Sequence, residues 1–444
     1  MGSTKLGISE LEESGNEPVS ILPFSILYTG QVFSLLGSRL VQFSIVWWLT
    51  STTGSASVLA LGSIIAMLPQ VLVTPFAGVL IDRWNRRLVM IVTDAAIALA
   101  VVVLAVLYAW GAVNVWYIYG LMFIRSVGGA FHWLAWQSSR KMLVPEKHLS
   151  RVSGLDQSIQ GIAGFVAPPM GALLMGFLPI SMILALDVVT AALAIIPLLF
   201  IRIPQPPSLH SNGKTSVFAS MKEGFGYIRT KTGILLIVLM AMAINFILTP
   251  AYSLQPLLVT NYFGGGVIEL GWLQSAHGIG LIMGGLALGV WGGFKRRVVT
   301  SFLALAVSGV FFAFIGLAPP TGFLLVVGAS FVTGFLNPMI NGPLMAILQA
   351  KVPTEVQGRV FSLIQTGAQL IVPLGLAIGG PVSDAFGVSI LFLLGGTIMS
   401  IMGAGAFLVR PMLYIEDANF EVGTLQSNLG LTGEVVNVPV AVKD

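Results

Sequence analysis

Twelve runs of predominantly apolar residues follow one another along this chain, and each is close to the twenty or so residues that a helix needs to cross a bilayer. They fall at about 24–49, 56–80, 88–110, 113–137, 154–178, 180–201, 233–258, 268–291, 298–317, 321–347, 360–382 and 386–409. Inside hydrocarbon each backbone N–H and C=O must find a partner within its own segment, so runs of this kind fold as helices. The chain therefore reads as an all-α integral membrane protein. Its composition agrees, because 9% of its residues are charged against about a quarter in soluble domains.

The loops sort by charge. After runs 2, 4, 6, 8 and 10 come Arg83/Arg86/Arg87, Arg140/Lys141/Lys147/Arg151, the connector from Arg202 to Lys231, Lys295/Arg296/Arg297 and Lys351/Arg359. The intervening loops hold no lysine or arginine. Basic loops stay on the inner side, so both termini are expected in the cytoplasm and the chain in the cell membrane. A net charge of +4 then reports topology and membrane lipid, with no nucleic-acid partner implied. Residues 1–22 carry Lys5 against Glu10, Glu12, Glu13 and Glu17, the wrong sign for the start of a cleaved signal. The lack of cysteine excludes disulfides and thiolate sites. No metal-ligand spacing, nucleotide-binding glycine loop or catalytic constellation appears, so neither enzyme, cofactor, metal nor ATP-driven pump is expected.

The halves repeat. Val144-Pro145-Glu146 through Arg151-Val152 returns 208 residues later as Val352-Pro353-Thr354-Glu355 through Arg359-Val360, and the same offset takes Gly171-Ala172 to Gly379-Gly380. An even number of spans separates the copies, so two six-helix bundles share one orientation, with a substrate site between them near mid-membrane. The expected division is a tail at 1–22, bundles at 23–201 and 233–409, a linker at 202–232 and a polar tail of little order at 410–444. In the linker Val217, Phe218, Met221, Phe225 and Ile228 fall at helical spacing, which reads as a short amphipathic helix on the inner membrane surface.

The first basic turn, Gly78-Val-Leu-Ile-Asp82-Arg83-Trp-Asn85-Arg86-Arg87, packs four charges into six positions and has a degenerate copy at Gly289-Val-Trp-Gly-Gly-Phe-Lys295-Arg296-Arg297. It resembles the signature loop of the major facilitator superfamily, with Asn85 where that family usually has glycine. Asn tolerates left-handed backbone better than most residues, and a different local turn is expected there. Run 5 holds Gly161, Gly164, Pro168, Pro169 and Gly171, which in a bundle make a kinked helix with a closely packing face. That pattern is similar to the motif of the antiporter branch, with Ala167 replacing the usual glycine. Local strings such as Phe123-Ile-Arg125-Ser-Val-Gly-Gly-Ala-Phe131-His132 and Gln357-Gly358-Arg359-Val360-Phe361-Ser362 resemble the macrolide-efflux group of drug:proton antiporters over about 24–409. The resemblance implies the major facilitator fold, with gating or coupling roles at Asp82, Arg83, Asp94, Arg125, His132 and Asp187.

Charges inside the spans are expensive and usually face a cavity. Arg125 lies near mid-depth of run 4 with His132 on the same face seven residues on. Asp94 and Asp187 sit about two turns inside runs 3 and 6. Either aspartate can load a proton as water access alternates, or stand as a static partner of Arg125 or a helix-end cap. Arg39, with Gln42 three residues on, reads as a second buried cation that binds an anionic group or pairs with an aspartate. His277 reads as a hydrogen-bonded core histidine. The functional expectation is a monomeric exporter of amphipathic, macrolide-like small molecules in exchange for protons. A siderophore or metabolite exporter, and a non-transporting sensor or scaffold on the same fold, are the alternatives.

Overall fold

The computed structural model describes residues 22–81, 83–144, 146–201, 203 and 225–417. Twelve long helices fill most of that span: α1 (Leu22–Thr53), α2 (Ala56–Ile81), α3 (Arg86–Ala109), α4 (Val115–Leu143), α5 (Glu146–Phe177), α6 (Ile180–Phe200), α7 (Thr232–Ser253), α8 (Val267–Trp291), α9 (Arg297–Leu317), α10 (Phe323–Lys351), α11 (Thr354–Phe386) and α12 (Ser389–Gly405). There is no strand among the described residues. Eleven of the helices are long and apolar enough to cross a membrane. The other, α4, has the length, but Arg125 and His132 dilute its apolar surface. The chain is a multi-pass membrane protein.

Local chemistry sets the helix ends. Asn85 accepts a hydrogen bond from Leu88 N at 3.3 Å, and Asn114 from Trp116 N at 3.0 Å and Tyr117 N at 3.2 Å, which satisfies donors that helix starts otherwise leave orphaned. Asn85 has φ −68°, so the turn there makes no use of the left-handed backbone that Asn tolerates and is an ordinary N-cap. In the second half the equivalent turn does go left-handed, at Gly292 (φ 75°) and Gly293 (φ 84°), where a side chain would be strained.

The helices form two six-helix bundles. In the first, α1 packs on α5 and α6, α2 on α4, and α3 on α4 and α6. In the second, α9 packs on α10 and α12, α8 on α10, and α7 on α11 and α12. Two crossings join them, α2 with α11 and α5 with α8. Small residues make both crossings close: Gly380 of α11 lies against Ala60 and Ser57 of α2, and Gly271 of α8 lies against Ala172 of α5. The repeat relates the two contacts, since Ala172 and Gly380 are the residues that its 208-residue offset equates.

The hydrophobic cores show how the bundles meet. One cluster mixes both halves, with Leu49, Leu59 and Ile118 beside Leu254, Leu273 and Phe392, and lies at the end whose loops lack lysine and arginine. At the basic-loop end each half keeps its own cluster, around Phe24, Ile81, Met90 and Leu198 in the first and around Ile237, Phe302, Leu348 and Met399 in the second. The bundles are therefore fused at one end and separate at the other.

Two peripheral segments pack onto the second bundle. Residues 225–230 are helical, with Ile228 buried in the second-half core and the Tyr227 hydroxyl donating to the Lys351 carbonyl at 3.2 Å. Val217, Phe218 and Met221 lie outside the described residues. After α12, residues Arg410–Leu413 form a short helix, Met412 is buried, and Glu416 accepts from Val298 N at 3.1 Å at the start of α9. The little-ordered tail expected from 410 thus packs as far as 417, because Met412 and Ile415 are apolar and Glu416 caps a helix.

Candidate functional site

The charges placed deep in the first bundle by sequence are brought together in pairs. Arg125 Nη1 of α4 lies 3.0 Å from Asp187 Oδ2 of α6, its Nη2 donates to the Ser38 carbonyl of α1 at 3.0 Å, and Ser38 Oγ donates to Asp187 Oδ1 at 3.4 Å. The Arg125 and Asp187 side chains are only 12% and 4% exposed. A buried pair of this kind endures only with good geometry and extra hydrogen bonds, which Ser38 provides. His132 Nε2 of α4 lies 3.3 Å from Asp94 Oδ2 of α3, within ion-pair distance but not aligned as a hydrogen bond.

Asp94, His132 and Arg125, but not Asp187, line a cavity of about 260 Å³ between α1, α3, α4 and α5, with Trp136 among the other walls. Tyr28 and Gln31 enter it from α1, and the Tyr28 hydroxyl and Gln31 amide nitrogen are buried with no hydrogen-bond partner among the described residues. Asp156 reaches it from α5 and is paired with Arg140 of α4. Sequence reasoning takes Arg140 for a loop charge because α4 extends beyond the apolar run that flags it, and passes over Asp156 at the start of run 5, whose position near a helix end gives no sign of its partner.

A second cavity, of about 490 Å³, lies at the seam between α5, α7 and α8. Gly164 and Pro168 of the proline-glycine stretch line it, facing Tyr252, Gln255, Gln274 and His277. Gln160 borders both cavities. The rest of that stretch does packing: Gly171 admits Phe43 of α1, and Pro169 and Ala172 meet Gly271 of α8. His277 is half-buried, 3.5 Å from Thr333 Oγ1 and edge-on to the Tyr252 ring at 5.6 Å, so it sits in a cavity wall where a core position was expected.

Arg39 departs further from expectation. It is exposed, and its Nη2 donates at 3.4 Å to Gln160 Oε1; a cation one helical position from Ser38 turns away from the buried cluster. The residues of the basic turn also separate. Arg86 donates to the Ser138 carbonyl at 3.4 Å and contacts the Met142 sulfur at 3.2 Å. Arg87 donates to the Leu198 and Leu199 carbonyls, capping the end of α6. Arg83 is exposed, Gly78 has open space where a side chain would stand, and Asp82 lies outside the described residues.

Comparisons with known proteins agree with this architecture. A family model described as transmembrane secretion effector matches residues 13–428. Macrolide efflux protein A of Streptococcus pyogenes is 33% identical over 392 residues, 88% of this chain and 96% of that protein. Multidrug efflux pump Tap of Mycolicibacterium fortuitum is 26% identical over 410 residues, 88% of this chain and 96% of that protein. Among solved structures, the nucleoside transporter NupG aligns with a TM-score of 0.59 at 15% identity, covering 88% of this chain and 98% of that one, a likeness of fold.

Proposed function

Since the chain belongs to the transmembrane secretion effector family of the major facilitator superfamily and is a small-molecule transporter, we propose that it exports amphipathic, macrolide-like molecules in exchange for protons. The observation that carries the reading is the cavity that Arg125, Asp94 and His132 line together, with Asp187 paired to Arg125 behind its wall. Four ionisable groups kept in an apolar bundle are costly, and such groups mark ion pathways in membrane proteins.

The chemistry follows from the contacts. A proton arriving on Asp187 removes the charge that holds Arg125, and one arriving on Asp94 does the same for His132. Each event changes the balance between helices of one bundle, α4 against α6 and α4 against α3. The seam cavity, with amide, phenol and imidazole groups among apolar walls, suits a ligand with a large apolar body and several oxygen acceptors. Rocking of one bundle on the other about the α2–α11 and α5–α8 crossings then exposes it alternately. We take the basic-loop end as cytoplasmic, so the separate cores at that end correspond to a crevice open inward. The protein works as a monomer in the cell membrane.

The test is uptake of a radiolabelled macrolide into inverted membrane vesicles containing the protein. Imposing an inside-acid pH gradient should accelerate uptake, and collapsing it should abolish the acceleration. Uptake indifferent to the gradient would refute proton exchange, and no uptake above protein-free vesicles would refute the substrate class.

A further inference from the structure

At the fused end the two halves are tied through one carboxylate. Asp384, in the last turn of α11, accepts hydrogen bonds from Ala56 N at 2.7 Å and Ser57 N at 2.9 Å, and from Ser55 Oγ at 3.3 Å. Ala56 and Ser57 open α2, so their N–H groups are among the four that a helix start cannot satisfy within itself. Beside its own Ser55 hydroxyl, which accepts from Val58 N at 3.4 Å, helix α2 thus has its first two N–H groups satisfied from the other bundle, and the negative charge lies at the positive end of the α2 dipole. One turn back along α11, Gly380 lets the two helices touch at Ala60. Asn261, also from the second half, donates to the Gly54 carbonyl at 3.1 Å in the left-handed turn before α2.

We propose that Asp384 is a latch, a positioning residue whose carboxylate must leave the start of α2 before the crevice opens at this end. The inference rests on the alternating exposure proposed above. Charge-assisted hydrogen bonds are the strong ones, and these span the bundle boundary, so separating the fused end breaks them while motion within a bundle does not. The latch governs which face is open. It makes no contact with either cavity described above.

The chain has no cysteine, so single reporters are unambiguous. Val372→Cys lies three turns before Asp384 in the shared core, and Val152→Cys lies in the first-half core at the other end. Each is labelled with a maleimide in purified protein in lipid nanodiscs. Asp384→Ala should raise labelling at Val372→Cys about tenfold and leave Val152→Cys unchanged, with Asp384→Asn in between because it keeps one acceptor oxygen. An unchanged Val372→Cys rate would overturn the latch, as would equal rises at both reporters, which mark general loosening. If the alanine variant does not accumulate, Asp384→Asn is judged by the same two criteria with about a threefold rise expected. These readouts need no substrate or gradient, so vesicles that fail to transport beside a responding Val372→Cys would remove the export proposal and leave the latch standing.

Discussion

The two bundles share helix order, a repeat offset and equivalent seam contacts, yet their interiors differ in kind. The first encloses Arg125–Asp187, Asp94–His132 and Arg140–Asp156. The second, among the described residues, has neutral polar groups inside, such as Tyr252, His277 and Thr333, and its one described ion pair, Arg296–Asp417, is exposed. A repeat preserves how helices pack without preserving what they carry. The difference points to a division of labour, with ion handling in the first bundle and a neutral wall for ligand contact in the second.

The largest effect should come from unbalancing the deepest pair. Asp187→Asn leaves Arg125 charged and uncompensated in the bundle, at about 3–5 kcal/mol, and vesicle uptake per folded protein should fall at least about a hundredfold. Replacing both partners, Arg125→Met with Asp187→Leu, should recover thermal stability without recovering uptake. Recovered uptake would reduce the pair to packing. Asp94→Asn comes next: the protein should fold, and acceleration by the pH gradient should drop about tenfold, toward the low end of what loss of a proton-transfer group costs.

A smaller change tests the seam that both bundles share. A side chain at Gly271 would collide with Ala172, so Gly271→Val should cost about 1–3 kcal/mol. It should slow uptake with and without the gradient alike. The smallest effect is expected in the neutral bundle. His277→Asn should change gradient-driven acceleration less than about threefold, because no carboxylate lines the cavity beside the ring. A loss there as large as that of Asp94→Asn would erase the distinction between the halves.

The fold is largely legible in the residues themselves. Apolar length, alternating loop charge and the Val144/Val352 repeat together dictate twelve helices in two like-oriented bundles, since hydrocarbon permits few other solutions. The charged residues are legible as a set, because Arg125, Asp94 and Asp187 stand out in apolar runs. Which of them pair is not. Pairing depends on how α3 and α6 rotate against α4, and Ser38, Gln31 and Gln160 carry no signal of their own in an apolar helix. Arg39 misleads because depth along a helix does not say which way a side chain faces. Asp384 looks like a loop residue until the first two N–H groups of α2 are seen to donate to it across the bundle boundary.

The most direct test of the division is proton release by the purified transporter in weakly buffered solution on adding a macrolide. Wild type and His277→Asn should acidify the medium equally, while Asp94→Asn and Asp187→Asn should release markedly fewer protons. Undiminished release from both aspartate variants, or its loss in His277→Asn alone, would contradict the assignment of proton handling to the first bundle.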